Sequence, residues 1–266
     1  DYIDENLVNN LDDRVFVKGI IGEEEKTEVL QKIAEEIENL KKNSPFNLGS
    51  GEIIVNSIDD EDWKNEWKKY YKPIVTKSVT VVPVWIKYNK ISDKEKILWI
   101  NPGMAFGTGE HETTSMCVEL MQEYVTPDSV CIDVGCGSGI LGISAVKLGA
   151  KKAYLTDIDT IAVASAKHNC ELNGVADKTV VAHSNLLDDT EIQGDVMLAN
   201  ITGEILCLLA PSIPKNLKKD GVLILSGIIE SRLDMVQDAY RAVGMEVVRK
   251  RRKGEWFALV LRHKGA

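Results

Sequence analysis

Two periodicities of hydrophobic residues alternate along most of the chain, one typical of buried strands and one of amphipathic helices. Short runs rich in Val, Ile and Leu are followed by longer stretches with helical spacing. From residue 113 the pattern predicts helix 113–125, strand 129–134, helix 139–148, strand 152–158, helix 160–173, strands 178–183 and 195–199, helix 202–218, strand 221–226 and helix 231–243. Such an alternation predicts an α/β fold with a parallel sheet and helices on both faces.

The end of the chain departs from this alternation. Residues 245–251 and 255–261 are predicted strands joined by a tight Lys-Gly turn, so we expect them to pair antiparallel. The basic run 249–253 lies at this turn, where exposed charge is ordinary, and we prefer that interpretation to nucleic-acid binding.

The first part of the chain predicts a small, separate α/β layer. Its predicted elements are strand 15–21, helix 23–42 and strand 52–58, followed by a charged helix 59–71 that carries Trp63 and Trp67. Further β-rich stretches follow at 78–88 and 97–100. We therefore predict an N-terminal α/β domain at 1–58 that lacks its first elements, a helical linker at 59–73 and a catalytic domain at 74–266.

Composition narrows the class of protein. Of 266 residues, 44% are hydrophobic and 27% charged, as in soluble globular proteins, and no apolar run reaches the roughly 18 residues of a membrane span. The five cysteines include no Cys-x-x-Cys pair, and the four histidines are scattered, which argues against a disulfide framework or a metal cluster. Reduced thiols and the absence of a visible secretory signal predict a cytoplasmic protein.

Charge is unevenly distributed. Residues 1–66 contain 18 acidic and 7 basic residues, a net charge of −11, whereas the remaining 200 contain 23 acidic and 25 basic, a net charge of +2. A solvated acidic surface explains this excess, and so does an N-terminal domain that meets a basic partner.

A glycine-rich turn follows the strand that ends at Val134. Gly137, Gly139 and Gly142 satisfy the pattern G-x-G-x-x-G between a predicted strand and a predicted helix. Asp157 ends the next strand, 22 positions after Gly135, where an acidic residue binds the ribose hydroxyls of a nucleoside. A purely structural turn is the competing interpretation, but the combined features favour a nucleoside cofactor.

Asp133 bears on which nucleoside is bound. A carboxylate beside the glycines repels the pyrophosphate of NAD but suits a cofactor that carries an ammonium and a sulfonium group, as S-adenosylmethionine does. The antiparallel ending also departs from the sheet of dehydrogenases. The residues Asp-Val-Gly-Cys-Gly-Ser-Gly at 133–139 and this ending resemble the class I, Rossmann-like methyltransferases.

Two longer motifs, at 101–114 and 195–203, closely resemble the ribosomal protein L11 methyltransferases. The resemblance implies S-adenosylmethionine as cofactor and an N-terminal domain that captures the ribosomal protein. It also implies cofactor contacts from Thr114, Gly135, Asp157 and Asn200, to which the glycine pattern adds Gly137. Thr114 is equally suited to starting a helix, and Asn200 to capping helix 202–218.

The same residues suggest how the reaction proceeds. A sulfonium methyl group needs a neutral nucleophile in line with it, and Asn200 is our candidate catalytic residue because it can accept a hydrogen bond from the amine. His111 is a candidate proton acceptor or a structural residue, and the glycine loop 103–109 is either a lid over the cofactor or an ordinary loop. No metal is required.

We therefore predict an S-adenosylmethionine-dependent protein N-methyltransferase. It acts on lysine side chains, the N-terminal amine or both in the basic ribosomal protein L11. We expect that it requires no direct contact with nucleic acid and no membrane. Asn101, Glu112 and the pair 202–203 depart from the family's usual residues, which leaves open another protein or a small amine as substrate. An NAD-dependent oxidoreductase and a non-catalytic cofactor-binding module are the remaining alternatives.

Overall fold

A computed structural model describes residues 25–44, 49–55, 72–77, 79–93, 95–101, 112–188 and 190–265. The chain divides into two compact units, 1–60 and 61–266. The predicted strand 15–21, the helix 59–71 with its two tryptophans, the glycine loop 103–109 and His111 lie outside the described residues. The predicted domains 1–58, 59–73 and 74–266 stay predictions.

In the first unit, helix α1 spans Lys26–Asn43 and ends where the amide of Ser44 donates to the carbonyl of Leu40 at 2.8 Å. The segment 49–55 lies against this helix, and Lys41 donates from Nζ to the carbonyl of Ser50 at 2.7 Å. Residues 52–55, the described part of the predicted strand 52–58, are not in a strand.

The second unit contains two sheets. The smaller consists of β1 (Ile74–Val75), β2 (Val79–Pro83) and β3 (Lys96–Ile100), in that order, with β1 antiparallel and β3 parallel to β2. Strand β2 is shorter than the predicted 78–88, because the chain turns after Pro83 at residues 84–86.

The larger sheet has seven strands in the order β6-β5-β4-β7-β8-β10-β9. Their bounds are β4 Val130–Val134, β5 Lys152–Asp157, β6 Thr179–His183, β7 Gly194–Asn200, β8 Leu217–Ile229, β9 Met245–Lys253 and β10 Trp256–His263. Strand β10 lies between β8 and β9 and is antiparallel to both, whereas the pairs from β6 to β8 are parallel. The α/β class and the antiparallel ending are thus confirmed.

Helices cover both faces of the large sheet. They are α2 Glu112–Met121, α3 Ile140–Leu148, α4 Thr160–Leu172, α5 Gly203–Leu209, α6 Ile213–Asn216 and α7 Leu233–Ala242. The predicted helix 202–218 is wrong in its second half. Pro211 and Pro214 lack an amide proton, so the helix gives way to a 3₁₀ turn at 210–212 and the single turn α6.

Two hydrophobic cores follow from the strand alternation. In β8, for example, Val222 and Ile224 face the core that α2, α3 and α4 cover, whereas Leu223 and Leu225 face the core beneath α5 and α7. On the second face the hydroxyl of Tyr240, which is fully buried, donates to the carbonyl of Leu206 at 2.9 Å.

The basic run 249–253 takes part in contacts within the protein. Arg249 forms an ion pair with Glu123 at 2.6 Å, and Arg251 with Glu119 at 2.8 Å. Lys253 donates to the hydroxyl of the α2 residue Ser115 at 3.0 Å. These bonds join the terminal hairpin to α2 and to the turn that follows it, which agrees with the structural interpretation of the run. None of the helices in the described part of the chain has the length and hydrophobicity needed to cross a bilayer.

Candidate active site

The carboxyl ends of the parallel strands meet at one edge of the large sheet, and four of the predicted site residues lie there. Gly135 and Gly137 follow β4, Asp157 ends β5 and Asn200 ends β7. This edge is where open α/β sheets bind their ligands.

The glycine turn after β4 is held to the neighbouring strand, β5, by backbone hydrogen bonds. The amides of Gly135 and Cys136 both donate to the carbonyl of Thr156 at 2.9 Å. The φ angles of Gly135, Gly137 and Gly139 are 68°, 53° and 83°, in the left-handed region that favours glycine. The turn therefore takes its position from β5.

Asp157 secures the middle of the same turn. Its Oδ2 accepts the amide of Gly137 at 2.8 Å, and its Oδ1 accepts the amide of Asp159 at 2.9 Å. A carboxylate has about four acceptor positions, so both oxygens can still accept a hydrogen bond from a ligand hydroxyl. Ile158, directly beside it, leaves 63% of its surface exposed and offers an apolar face at the same edge.

Asn200 is held by the first turn of α2. Its Nδ2 donates to the hydroxyl of Thr114 at 3.3 Å. Ser226, its partner in the register of β7 with β8, donates to the carbonyl of Thr113, also at 3.3 Å. The capping alternative for Asn200 is wrong, because Thr202 occupies the N-cap position of α5.

Two glycines hold the residue after Asn200, and sequence reasoning missed this contact. A Cβ built on Gly135 would lie 2.5 Å from Cγ2 of Ile201, and one built on Gly227 would lie 2.5 Å from the Ile201 carbonyl oxygen. A side chain at either position would displace the end of β7. Gly227, which directly follows the predicted strand 221–226 and lies inside the observed β8, was a weak signal of such a close approach.

Asp133 corrects one electrostatic argument. Its side chain is only 1% exposed, and its Oδ2 accepts the amide of Gly142 at 2.8 Å, so it supports the start of α3. Burial raises the pKa of Asp133 from its ordinary value of 3.8 to about 7, against the opposing effect of the Gly142 bond. It does not present an open carboxylate to a ligand.

Two of the residues that depart from the family's usual pattern contact neighbouring elements. The Glu112 carboxylate lies against Gly254 in the terminal hairpin, and a Cβ built on Gly203 would lie 2.9 Å from the Cβ of Arg232. Both positions are therefore in close contact with local neighbours.

The turn after β6 borders Asp157 and is strained. Leu186 has φ 52°, the only positive φ outside glycine among the described residues. The amide of Ser184 donates to the carbonyl of Asp157 at 2.9 Å, and Leu187 is buried. Such backbone strain concentrates at ligand sites.

The cysteines do not supply a nucleophile. Burial raises the pKa of Cys117 and of Cys131 to about 12, so both thiols stay protonated at neutral pH. Within the described ranges there is no group of three His, Cys, Asp or Glu side chains that could hold a metal ion.

Comparison with known proteins identifies the family. The model of a family described as "Ribosomal protein L11 methyltransferase (PrmA)" matches residues 2–264. The chain belongs to the ribosomal protein L11 methyltransferase family. The relative from Clostridium perfringens is 41% identical over 266 residues, 99% of this chain and 84% of that protein. The relative from Acetivibrio thermocellus is 43% identical over 265 residues, 98% of this chain and 83% of that protein.

A solved structure within the L11 methyltransferase family agrees. The crystal structure of ribosomal protein L11 methylase from Lactobacillus delbrueckii subsp. bulgaricus superposes with a TM-score of 0.68 at 34% identity, covering 73% of this chain and 100% of that one. The tRNA m1G37 methyltransferase of M. jannaschii has a TM-score of 0.53 at 19% identity, covering 64% of this chain and 54% of that one, and shares the fold alone. The predicted family and the Rossmann-like methyltransferase fold are confirmed.

We predict that Asp133→Asn changes how stability depends on pH. With a folded pKa near 7 and an ordinary value of 3.8, the folded protein keeps a proton that the unfolded chain releases between these limits. Wild-type stability therefore falls on this account from about pH 4 to 7 and levels off above. The free energy of unfolding of the variant, relative to wild type, should rise by about 2–4 kcal/mol over that range.

Urea denaturation of both proteins at several pH values measures this difference. The matched control is Asp128→Asn at an exposed aspartate, which should shift by less than about 0.5 kcal/mol. A difference between Asp133→Asn and wild type that stays constant with pH would contradict the assignment.

Proposed function

We propose that this protein transfers a methyl group from S-adenosylmethionine to amino groups of ribosomal protein L11. The observation that carries the proposal is the family match over residues 2–264. The carboxyl edge of the sheet supports it, because it brings together a glycine turn, a fixed acidic residue and an asparagine.

The described residues fit a nucleoside cofactor. Asp157 can accept hydrogen bonds from ribose hydroxyls, and the exposed face of Ile158 suits an adenine ring. Gly135 and Gly137 let a ligand approach the backbone closely, and Thr114 and Asn200 line the edge next to them. These six assignments rest on position and chemistry.

The bound cofactor supplies a methyl group on a positively charged sulfur. Asn200 is the residue we assign to the acceptor amine. Its Nδ2 is bound to Thr114, which leaves its Oδ1 to accept an N–H of the amine and aim the nitrogen lone pair. A lysine amine has an ordinary pKa of about 10.4, so it must lose its proton, to solvent or to a nearby base, before it reacts.

Recognition of L11 is assigned to the N-terminal domain at 1–58. In α1 the acidic side chains Glu28, Glu35, Glu36 and Glu38 are all exposed. Four lysines of α1 offset these charges within the helix, so it is the net charge of −11 over 1–66 that makes the surface of this segment suited to a basic ribosomal protein. Recognition through this surface requires no nucleic acid.

We infer that the protein acts in the cytoplasm, where bacterial ribosomal proteins are made. The five cysteines are free thiols and four of them are buried, as expected in a reducing compartment. No observation favours an oxidoreductase or a non-catalytic module over the family's activity.

Mass spectrometry of L11 after incubation with the protein and S-adenosylmethionine tests the proposal. L11 should gain mass in whole methyl increments, and peptide mapping should place them on amino groups. Unmodified L11, with a protein that is folded and binds the cofactor, would overturn the assigned substrate. A set of other basic ribosomal proteins serves as the specificity control.

For the cofactor, we predict that Asp157→Ala weakens S-adenosylmethionine binding by about 1–3 kcal/mol, because it removes hydrogen bonds to a charged group. Titration calorimetry measures this loss. Since Asp157 also binds the amide of Gly137, Asp157→Asn is the companion variant, in which one oxygen can still accept that amide. Unchanged affinity in both folded variants would refute the role.

For catalysis, Asn200→Ala should lower the methyl-transfer rate at saturating substrates by about 100-fold, because a misplaced reactant costs that much. Cofactor affinity should fall far less, since the assigned contact is made in the transition state. Thr114→Val, which removes only the hydroxyl that orients Asn200, should give a smaller loss. Equal losses in rate and affinity would make Asn200 a plain cofactor ligand.

For recognition, reversing two charges on α1 with Glu35→Lys and Glu36→Lys should raise KM for L11 by about tenfold and leave KM for the cofactor unchanged. The effect should shrink at high salt because exposed charges are screened. The control is Glu171→Lys with Asp177→Lys, two exposed acids of the catalytic unit. Equal effects from both pairs would assign the attraction to net charge rather than to this helix.

A further inference from the structure

Strand β3 is an edge strand whose free side is paired by side chains. Among the described residues it pairs with β2 alone, and the backbone groups of residues 99 and 101 point away from that strand. The carboxamides of Asn173 and Asn169, from the end of α4, meet these groups. Each carboxamide pairs with both the amide and the carbonyl of one strand residue.

These hydrogen bonds are short, and together they pair both the amide and the carbonyl of Trp99 and of Asn101. Asn173 accepts the Trp99 amide at 2.9 Å and donates to the Trp99 carbonyl at 2.6 Å. Asn169 accepts the Asn101 amide at 2.9 Å and donates to the Asn101 carbonyl at 3.1 Å. Four residues of helix rise about 6.0 Å and two of strand about 6.6 Å, so the two spacings match. A carboxamide offers a neutral donor and a neutral acceptor on two separate atoms, so one short side chain can bind an amide and a carbonyl at the same time.

Asn169 makes one contact that Asn173 does not. Its Nδ2 also donates to the carbonyl of Ser138, inside the glycine turn, at 2.9 Å, and its side chain is fully buried. The corresponding second bond of Asn173 goes to the carbonyl of Asn169, within its own helix region. One turn before Asn169, Ala166 contacts the same glycine turn, since a Cβ built on Gly139 would lie 3.1 Å from its Cβ.

We propose that Asn169 is a positioning residue for the cofactor. Its carboxamide locks the Ser138 carbonyl to the end of β3, and Ser138 lies between Gly139 and the Gly137 amide that Asp157 binds. The glycine turn is thus held on one side by β5 and on the other by α4 and β3. This inference rests on the proposed function, in which the turn receives S-adenosylmethionine.

The competing explanation is that both asparagines merely cover the edge of β3. The two residues provide their own matched controls, because each pairs one strand residue and only Asn169 bonds to the turn. Asn169→Ala and Asn173→Ala should therefore lower Tm by similar amounts. Only Asn169→Ala should raise the Kd for S-adenosylmethionine, by roughly tenfold, while Asn173→Ala stays within about twofold of wild type.

Calorimetric titration of the cofactor and thermal unfolding are measured on the full chain, together with KM and kcat. Asn169→Ala should raise KM for the cofactor more than it lowers kcat. If Asn169→Ala does not fold, Asn169→Ser and Asn173→Ser are compared by the same criteria. Equal cofactor affinities in the two variants, whether both unchanged or both weakened, would overturn the inference. A wild-type protein that binds no S-adenosylmethionine would overturn the proposed function and this inference with it.

Discussion

The hydrogen bond between the Gly137 amide and the Asp157 carboxylate is the contact on which the candidate site depends. A turn made largely of glycine and small residues has few side chains to hold it, so its position comes from bonds to the next strand, through Asp157 and the Thr156 carbonyl. The register of β4 with β5, in which Val134 faces Thr156, therefore sets where the turn lies. A slip of one residue would move Asp157 to the other face.

The polar residues of the site continue a hydrophobic face of the sheet. Asp133, Asn200 and Ser226 occupy strand positions whose parity elsewhere points apolar side chains toward α2 and α3. Each of these side chains forms a hydrogen bond with a backbone group or a hydroxyl in the first turn of a helix, as Asn200 does with Thr114. Near the carboxyl ends of three neighbouring strands, a hydrogen-bonding residue thus takes a position that the alternation would give to an apolar one, and these bonds offset the cost of burying it.

Local patterns predicted much of this architecture, because periodicity, glycine turns and strand ends are readable within a short window. The alternation of strands and helices predicted the parallel sheet, and the spacing of Asp157 from Gly135 predicted that both lie at the same edge of that sheet. Helix 202–218 was overextended although Pro211 and Pro214 marked the break. The contacts of Asn169 with Asn101 and of Asn173 with Trp99 span 68 and 74 residues, so no local signal could pair them. Asn200 was predicted from the family motif, and the domain boundaries remain predictions.

The position of β10 has a consequence for the order of synthesis. Strand β9 meets the large sheet only through β10, and β8 shows an open edge until β10 arrives. During synthesis β8 and β9 leave the ribosome before β10. The backbone groups along one edge of the largely apolar β8 therefore stay unpaired after most of the sheet has been synthesised. An unpaired edge invites association with other chains. Completion of the sheet therefore has to wait until β10 has been synthesised.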